Sequence, residues 1–216
     1  MDALLFDMDG VIVDSEDHWH PAEREELLPA VLAGDVPDLD EITGMPYREI
    51  YEYLDAHYET TVSEAEFVEL YDETAADIYQ ERVELLDGFA EIRAAASNAG
   101  VPVGLVSASP PAWIGYVLDR FDLSFDFTLS NDEVPGPGKP EPDIYEATAE
   151  RLGVDPDGCV AVEDSRNGSL AASRAGMVVV GYRVEHNAGT DLSACDVVCE
   201  GPAELREELS GRLKSA

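Results

Sequence analysis

Six short runs rich in Val, Ile and Leu, at residues 3–6, 102–106, 125–129, 159–162, 178–181 and 196–198, alternate with helically patterned segments. That alternation constrains the fold more than any other feature, because strands separated by crossover helices assemble a parallel sheet covered by helices. The helical segments fall at about 89–99, 112–121, 143–152, 167–175 and 202–213. The interval between the first two runs is far too long for one crossover helix and looks helical throughout. Residues 15–85 are therefore expected to form an inserted helical domain, and residues 1–14 with 86–216 an α/β core.

Inside the insertion, Ser63-Glu64-Ala65-Glu66 is a capping box, followed at helical spacing by Phe67, Leu70, Tyr71, Thr74 and Ile78. Pro46 suits the first turn of a helix whose apolar face is Ile50, Tyr53, Leu54 and His57. Leu27, Leu28, Val31 and Leu32 make an earlier apolar face. The insertion carries twenty-one acids, the three arginines Arg24, Arg48 and Arg82, and no lysine.

That imbalance extends to the whole chain, whose 47 acids against 13 Lys plus Arg give a net charge of −34. Nucleic acid and anionic membrane surfaces are excluded as partners, since both are bound through clustered cations. Disorder is excluded too, because 45% of the 216 residues are hydrophobic, enough for an ample core. A halophilic protein fits best, its dense carboxylate surface hydrated and its self-repulsion screened by molar salt. Cys159, Cys195 and Cys199 read as buried thiols in a reducing cytoplasm, with no secretory start before Asp7 and Asp9. No charge occurs at 94–118, but Gly100, Pro102, Pro110 and Pro111 cut that run into a helix end, a strand and a turn rather than a membrane span.

The chemistry gathers where strands end. Asp7-Met8-Asp9-Gly10 follows the first strand at once, and ligands bind at the carboxyl edge of open α/β sheets. Two carboxylates before a glycine turn suit phosphoryl transfer, one as nucleophile and one as acid and base. An EF-hand loop fits poorly, with Val11 and Val13 at alternate places and His18 at the twelfth. Ser107 ends the second strand and either donates to a phosphate oxygen or opens a turn. Lys139 is one of only two lysines, the other being Lys214, and stands in the stiff loop Gly136-Pro137-Gly138-Lys139-Pro140-Glu141-Pro142. Glu163 and Asp164 end the fourth strand, where they either cap the next helix or hold Mg²⁺ with Asp7.

These residues resemble the haloacid dehalogenase superfamily, in the subgroup of β-phosphoglucomutase and phosphoglycolate phosphatase. DMDGVIVDSE, LVSAS, GKPEPDIYEATAERLGV and VAVEDSRNGSLAASRAGM carry the resemblance in the family's order over nearly the whole chain. It implies a Rossmann-like, doubly wound parallel sheet with an inserted α-helical cap. Asp7 would be the nucleophile, forming an aspartyl phosphate, and Asp9 the residue that protonates the leaving alcohol and deprotonates water. Mg²⁺ would be held by Asp7, the Asp9 backbone carbonyl and Asp164, with Glu163 beside it or acting through water. Ser107, Ala108 and Lys139 would hold the phosphate, and Arg48, after Thr43-Gly44-Met45-Pro46-Tyr47, would grip the rest of the substrate. An intrahelical pair with Glu52 is the other reading of Arg48.

Within the superfamily, Asp9 argues against a dehalogenase, which lacks this second acid. The absence of a lysine from the insertion argues against a phosphonoacetaldehyde hydrolase. Trp19 stands where the mutases usually have His, although His18 and His20 flank it. The resemblance thus implies a Mg²⁺-dependent phosphatase of a small phosphorylated metabolite, with a phosphosugar mutase as the alternative and a non-catalytic binding protein on the same fold as the third. A monomer is the default expectation, with an oligomer left open.

Overall fold

Leu4, Leu5 and Phe6 sit on a strand that is wholly inaccessible on both faces, so its sequence shows a continuous apolar run instead of alternation. This strand, β1 (Ala3–Phe6), lies in the middle of a six-stranded sheet whose pairs are all parallel. The others are β2 (Val103–Ser107), β3 (Phe127–Ser130), β4 (Cys159–Glu163), β5 (Val178–Arg183) and β6 (Val197–Glu200). Their spatial order, β3-β2-β1-β4-β5-β6, reverses direction between β1 and β4. In doubly wound sheets that reversal leaves a crevice beyond the strand ends.

The computed structural model describes all residues except Thr43, Gly44, Pro46 and Ala216, and of Asp40 the backbone alone. Two compact units emerge, Met1–Asp14 with Glu84–Ala216, and Ser15–Val83. The second contains α1 (Glu16–Ala22), a π-helical turn at Glu23–Leu27, α2 (Leu28–Val31), α3 (Tyr47–His57) and α4 (Glu64–Asp77). The capping box forms: Ser63 Oγ accepts the Glu66 N–H, and the Glu66 carboxylate accepts the Ser63 N–H at 2.8 Å. Phe67, Tyr71, Ala75 and Ile78 bury the apolar face that follows. On α3, Ile50 and Leu54 are buried, whereas His57 is exposed and stacks on Tyr53 at 4.4 Å. Pro46, expected to open this helix, lies outside the described residues.

The sheet unit carries α5 (Phe89–Ala99), α6 (Pro111–Phe121), α7 (Asp143–Leu152), α8 (Arg166–Arg174) and α9 (Gly201–Leu213). The uncharged run at 94–118 becomes the end of α5, a left-handed Gly100 cap, β2, and an α6 opened by Pro110 and Pro111. No described helix is long and apolar enough to cross a membrane. One strand starts later than its composition suggests. Phe125, expected in β3, instead packs its ring 5.8 Å from Phe89, and pairing with β2 begins where Asp126 N–H meets the Val103 carbonyl at 2.9 Å. Cys159 and Cys199 are buried and Cys195 half-buried, all three free.

Candidate active site

Asp7 leaves β1 with its N–H still donating to the Val162 carbonyl of β4 at 3.0 Å, so its carboxyl group emerges where the strand order reverses. The Met8 carbonyl then accepts the N–H groups of Val11, Ile12 and Val13, which turns the chain back sharply. Gly10 makes this turn at φ 71°, a left-handed conformation that disfavours a side chain. Space forbids one as well, since a Cβ there would lie 2.2 Å from Asp164 Oδ2. The turn is thereby seated directly on the end of β4.

Lys139 comes from the loop after the edge strand β3 and reaches across the end of β2. Its ammonium donates to Asp7 Oδ1 at 2.7 Å, to Glu163 Oε1 at 2.6 Å and to the Val106 carbonyl at 3.3 Å, which uses all three of its protons. The Lys139–Pro140 peptide is cis, and Arg174 of α8 ties the loop down by donating to the Pro140 carbonyl at 2.8 Å and pairing with Glu141. Glu163, wholly inaccessible, also accepts the Tyr145 hydroxyl at 2.5 Å. A Cβ on Gly168, in the first turn of α8, would collide with the Glu163 carboxylate at 1.8 Å. Only glycine lets α8 pass so close.

Asp164 is buried beside them and faces His186 Nε2 at 3.3 Å. Its backbone carbonyl accepts the side-chain amide of Asn187, which also donates to Tyr182 O at 2.8 Å and accepts the Val184 N–H at 2.8 Å. The loop after β5 is thereby stapled to the end of β4.

One ammonium cannot compensate three buried carboxyl groups. Burial pushes the Asp7 carboxyl up to about 7, and the neighbouring Glu163 and Asp9 add to the rise against the pull of Lys139. Glu163 and Asp164 are raised as well, chiefly by burial. Burial by itself would lower Lys139, but Asp7 and Glu163 together outweigh it and hold the ammonium charged. Oxygens of Asp7, Glu163 and Asp164 all lie within 4.8 Å of one another. Such a cluster of hard oxygen donors with excess negative charge can hold a metal ion.

Ser107, buried at the end of β2, accepts the Ser109 N–H on Oγ at 3.0 Å, leaving its own hydroxyl proton to donate elsewhere. Ala108 is exposed in the turn between them. Ser109 in turn donates to Asp9 Oδ2 at 2.7 Å. The structure thus brings Asp7, Lys139, Glu163 and Asp164 into one cluster, and joins Asp9 to the Ser107 turn through Ser109. Sequence reasoning missed Ser109, Tyr145, His186 and Asn187. Tyr145 reads as one more apolar residue of a helical face. His186 and Asn187 had a usable signal, since they follow a strand on the same edge as the recognised groups.

In the helical unit, Arg48 is exposed, its guanidinium 5.2 Å from the Tyr47 ring centroid, and makes no ion pair with Glu52. Trp19 donates its indole N–H to the Tyr79 hydroxyl at 3.1 Å and stacks on Tyr71 at 5.8 Å. Thr43, Gly44 and Pro46 of the expected specificity loop lie outside the described residues.

A model of haloacid dehalogenase-like hydrolases matches residues 1–176. The chain belongs to that family. Hexitol phosphatase B of Escherichia coli is 38% identical over 181 residues, covering 81% of this chain and 80% of that protein. Among other members, the β-phosphoglucomutase of Bacillus subtilis is 29% identical over 218 residues, covering 97% and 93% of the two chains. The phosphate complex of CbbY from Rhodobacter sphaeroides superposes with a TM-score of 0.81 over 95% of this chain and 96% of that one; at 24% identity it speaks for the fold alone. Curated relatives of this haloacid dehalogenase-like hydrolase thus include both a phosphatase and a mutase.

Proposed function

We propose that this chain is a Mg²⁺-dependent phosphatase that hydrolyses a small organic phosphomonoester, a sugar or hexitol phosphate, through an aspartyl phosphate on Asp7. The observation that carries this reading is the Asp7 carboxylate at the sheet's reversal point, held through Oδ1 by Lys139 at 2.7 Å. With Oδ1 so held, Oδ2 is the oxygen left to attack phosphorus. Asp9 protonates the departing alcohol and then takes a proton from the attacking water. Ser107 donates its hydroxyl to a phosphate oxygen, Ala108 lines the same turn, and Lys139 exchanges its long bond to Val106 for the transferring group. Glu163 positions Lys139. Asp7, Asp164 and the Asp9 carbonyl would hold Mg²⁺, with Glu163 beside it. When bound, Mg²⁺ neutralises charge on the transferring phosphoryl group.

Trp19 favours hydrolysis over mutase chemistry. An indole N–H already donated to Tyr79 does not shuttle protons as an imidazole does. The test is phosphate release from a panel of sugar phosphates, hexitol phosphates, phosphoglycolate, glycerol phosphate and nucleotides, with Mg²⁺ in molar KCl because of the acidic surface. Turnover of a sugar or hexitol phosphate that ceases with EDTA is expected, and inertness across the panel would overturn the proposal. Interconversion of hexose 1- and 6-phosphates, followed by NMR, would establish the mutase instead.

Arg48, an exposed cation in a unit with few, is proposed to bind the part of the substrate beyond the phosphate. Arg48→Ala should raise KM for the best panel substrate about tenfold, a loss of about 1.4 kcal/mol, and leave KM for p-nitrophenyl phosphate within twofold. Equal effects on both substrates would remove Arg48 from the site.

A further inference from the structure

The geometry points to Tyr145 as a positioning residue that fixes the direction from which Lys139 reaches the phosphoryl group, an inference that rests on the function proposed above and deepens it. The two residues belong to one short segment, since the Lys139 loop runs through Pro142 directly into the first turn of α7. Tyr145 is wholly buried, its ring packed in the core beside Ile144, Ala149 and Ala161. Its hydroxyl donates to Glu163 Oε1 at 2.5 Å, the same oxygen that accepts the Lys139 ammonium at 2.6 Å. The ring makes a second contact, its centroid 5.3 Å from Lys139 Nζ. A buried hydroxyl needs an acceptor, but that need alone does not place both ends of Tyr145 against Lys139 and its counterion.

A carboxylate oxygen offers two lone pairs. With Tyr145 on one lone pair of Oε1, Lys139 is confined to the other. Glu163 cannot swing to relieve this, because Gly168 of α8 backs its carboxylate so closely that a Cβ there would lie 1.8 Å from Oε2, and Ser165 Oγ reaches Oε2 at 3.4 Å. In the proposed reaction Lys139 keeps its bonds to Asp7 and Glu163 while its long bond to the Val106 carbonyl, 3.3 Å, is exchanged for a phosphate oxygen. Its aim during that exchange depends on where Oε1 stands and from which side it is approached. Tyr145→Phe keeps the ring over Lys139 but vacates the second lone pair, which gives the ammonium room to turn away from phosphorus. Misplacement by about 1 Å costs up to about 10²-fold.

The test is a double-mutant cycle between Tyr145→Phe and Lys139→Met, read by turnover of p-nitrophenyl phosphate and by calorimetric binding of inorganic phosphate, both with Mg²⁺ in molar KCl. Circular dichroism checks that each variant is folded; where Lys139→Met is not, Lys139→Met with Glu163→Gln replaces it as the background. Tyr145→Phe alone should lower kcat about tenfold and weaken phosphate binding about threefold. Once Lys139 is gone, the same substitution should change the residual turnover and the phosphate affinity by less than twofold, because a residue that acts through Lys139 has nothing left to position. A purely structural role would instead give the same loss in both backgrounds. That additive result, or a folded Tyr145→Phe whose kcat and phosphate affinity both stay within twofold of wild type, would overturn the role. Wild-type turnover that survives Asp7→Asn would refute the proposed function and this inference with it, whereas an inert Asp7→Asn beside an unaffected Tyr145→Phe would refute the inference alone.

Discussion

Asp7→Asn should lower turnover of every phosphomonoester by at least about 10⁴-fold, as removal of a covalent nucleophile does. The amide nearly matches the carboxylate in shape, so the fold should survive. Stability should even rise at high pH. In the metal-free protein the Asp7 carboxyl titrates at about 7, against an ordinary value of about 4 in the unfolded chain. A raised acid favours the folded state fully below the unfolded value, and that contribution is lost as pH rises through the folded one. Between about pH 4 and 7, wild type should therefore weaken in EDTA more steeply than Asp7→Asn, as read by urea unfolding at constant KCl. Calorimetric titration of Mg²⁺ should show weaker binding in the variant. A stable variant with undiminished turnover would remove Asp7 from the chemistry, and the two other readouts separate that result from misfolding.

Lys139→Met should cost both activity and stability. The Lys139 side chain is 7% exposed and paired with Asp7 and Glu163, and removing one partner of a buried ion pair typically costs about 3–5 kcal/mol. Two carboxyl groups would then face each other without compensation. Both would be pushed further up, so by the same sign argument the loss relative to wild type should grow as pH rises above about 7. Adding Glu163→Gln removes one of the stranded charges and should recover part of the stability, with turnover still at least about 10³-fold down. Urea unfolding of the two variants, set beside phosphate release, checks each half. If Lys139→Met kept wild-type stability at pH 8, Lys139 would not be the counterion of this cluster.

The recognisable parts of the site were legible because each breaks a local rule. Asp7 and Asp9 follow an apolar strand without a gap, and Lys139 sits in a rigid loop of a chain that retains almost no lysine. Glu163 and Asp164 were equally visible, but their division of labour was not. A strand end turns successive side chains to opposite sides, and only the packing shows that Glu163 meets Lys139 and Tyr145 while Asp164 meets the Gly10 turn and His186. The late start of β3 escaped for a related reason. Phe125 has every propensity of a strand residue, and the nearby Phe89 ring decides its place.

Sequence by itself determined the parallel α/β core, the acidic surface and the residues proposed to move a phosphoryl group, because periodicity, composition and strand-end position are local properties of a chain. Tertiary structure alone decided which of those groups share a proton, a charge or a hydrogen bond. Lys139 and Asp7 are 132 residues apart in the chain and 2.7 Å apart in space. Ser109 and Asp9 are separated by 100 residues and meet at the same distance. Such pairings depend on which strands become neighbours, and strand order follows from burying the whole sheet at once.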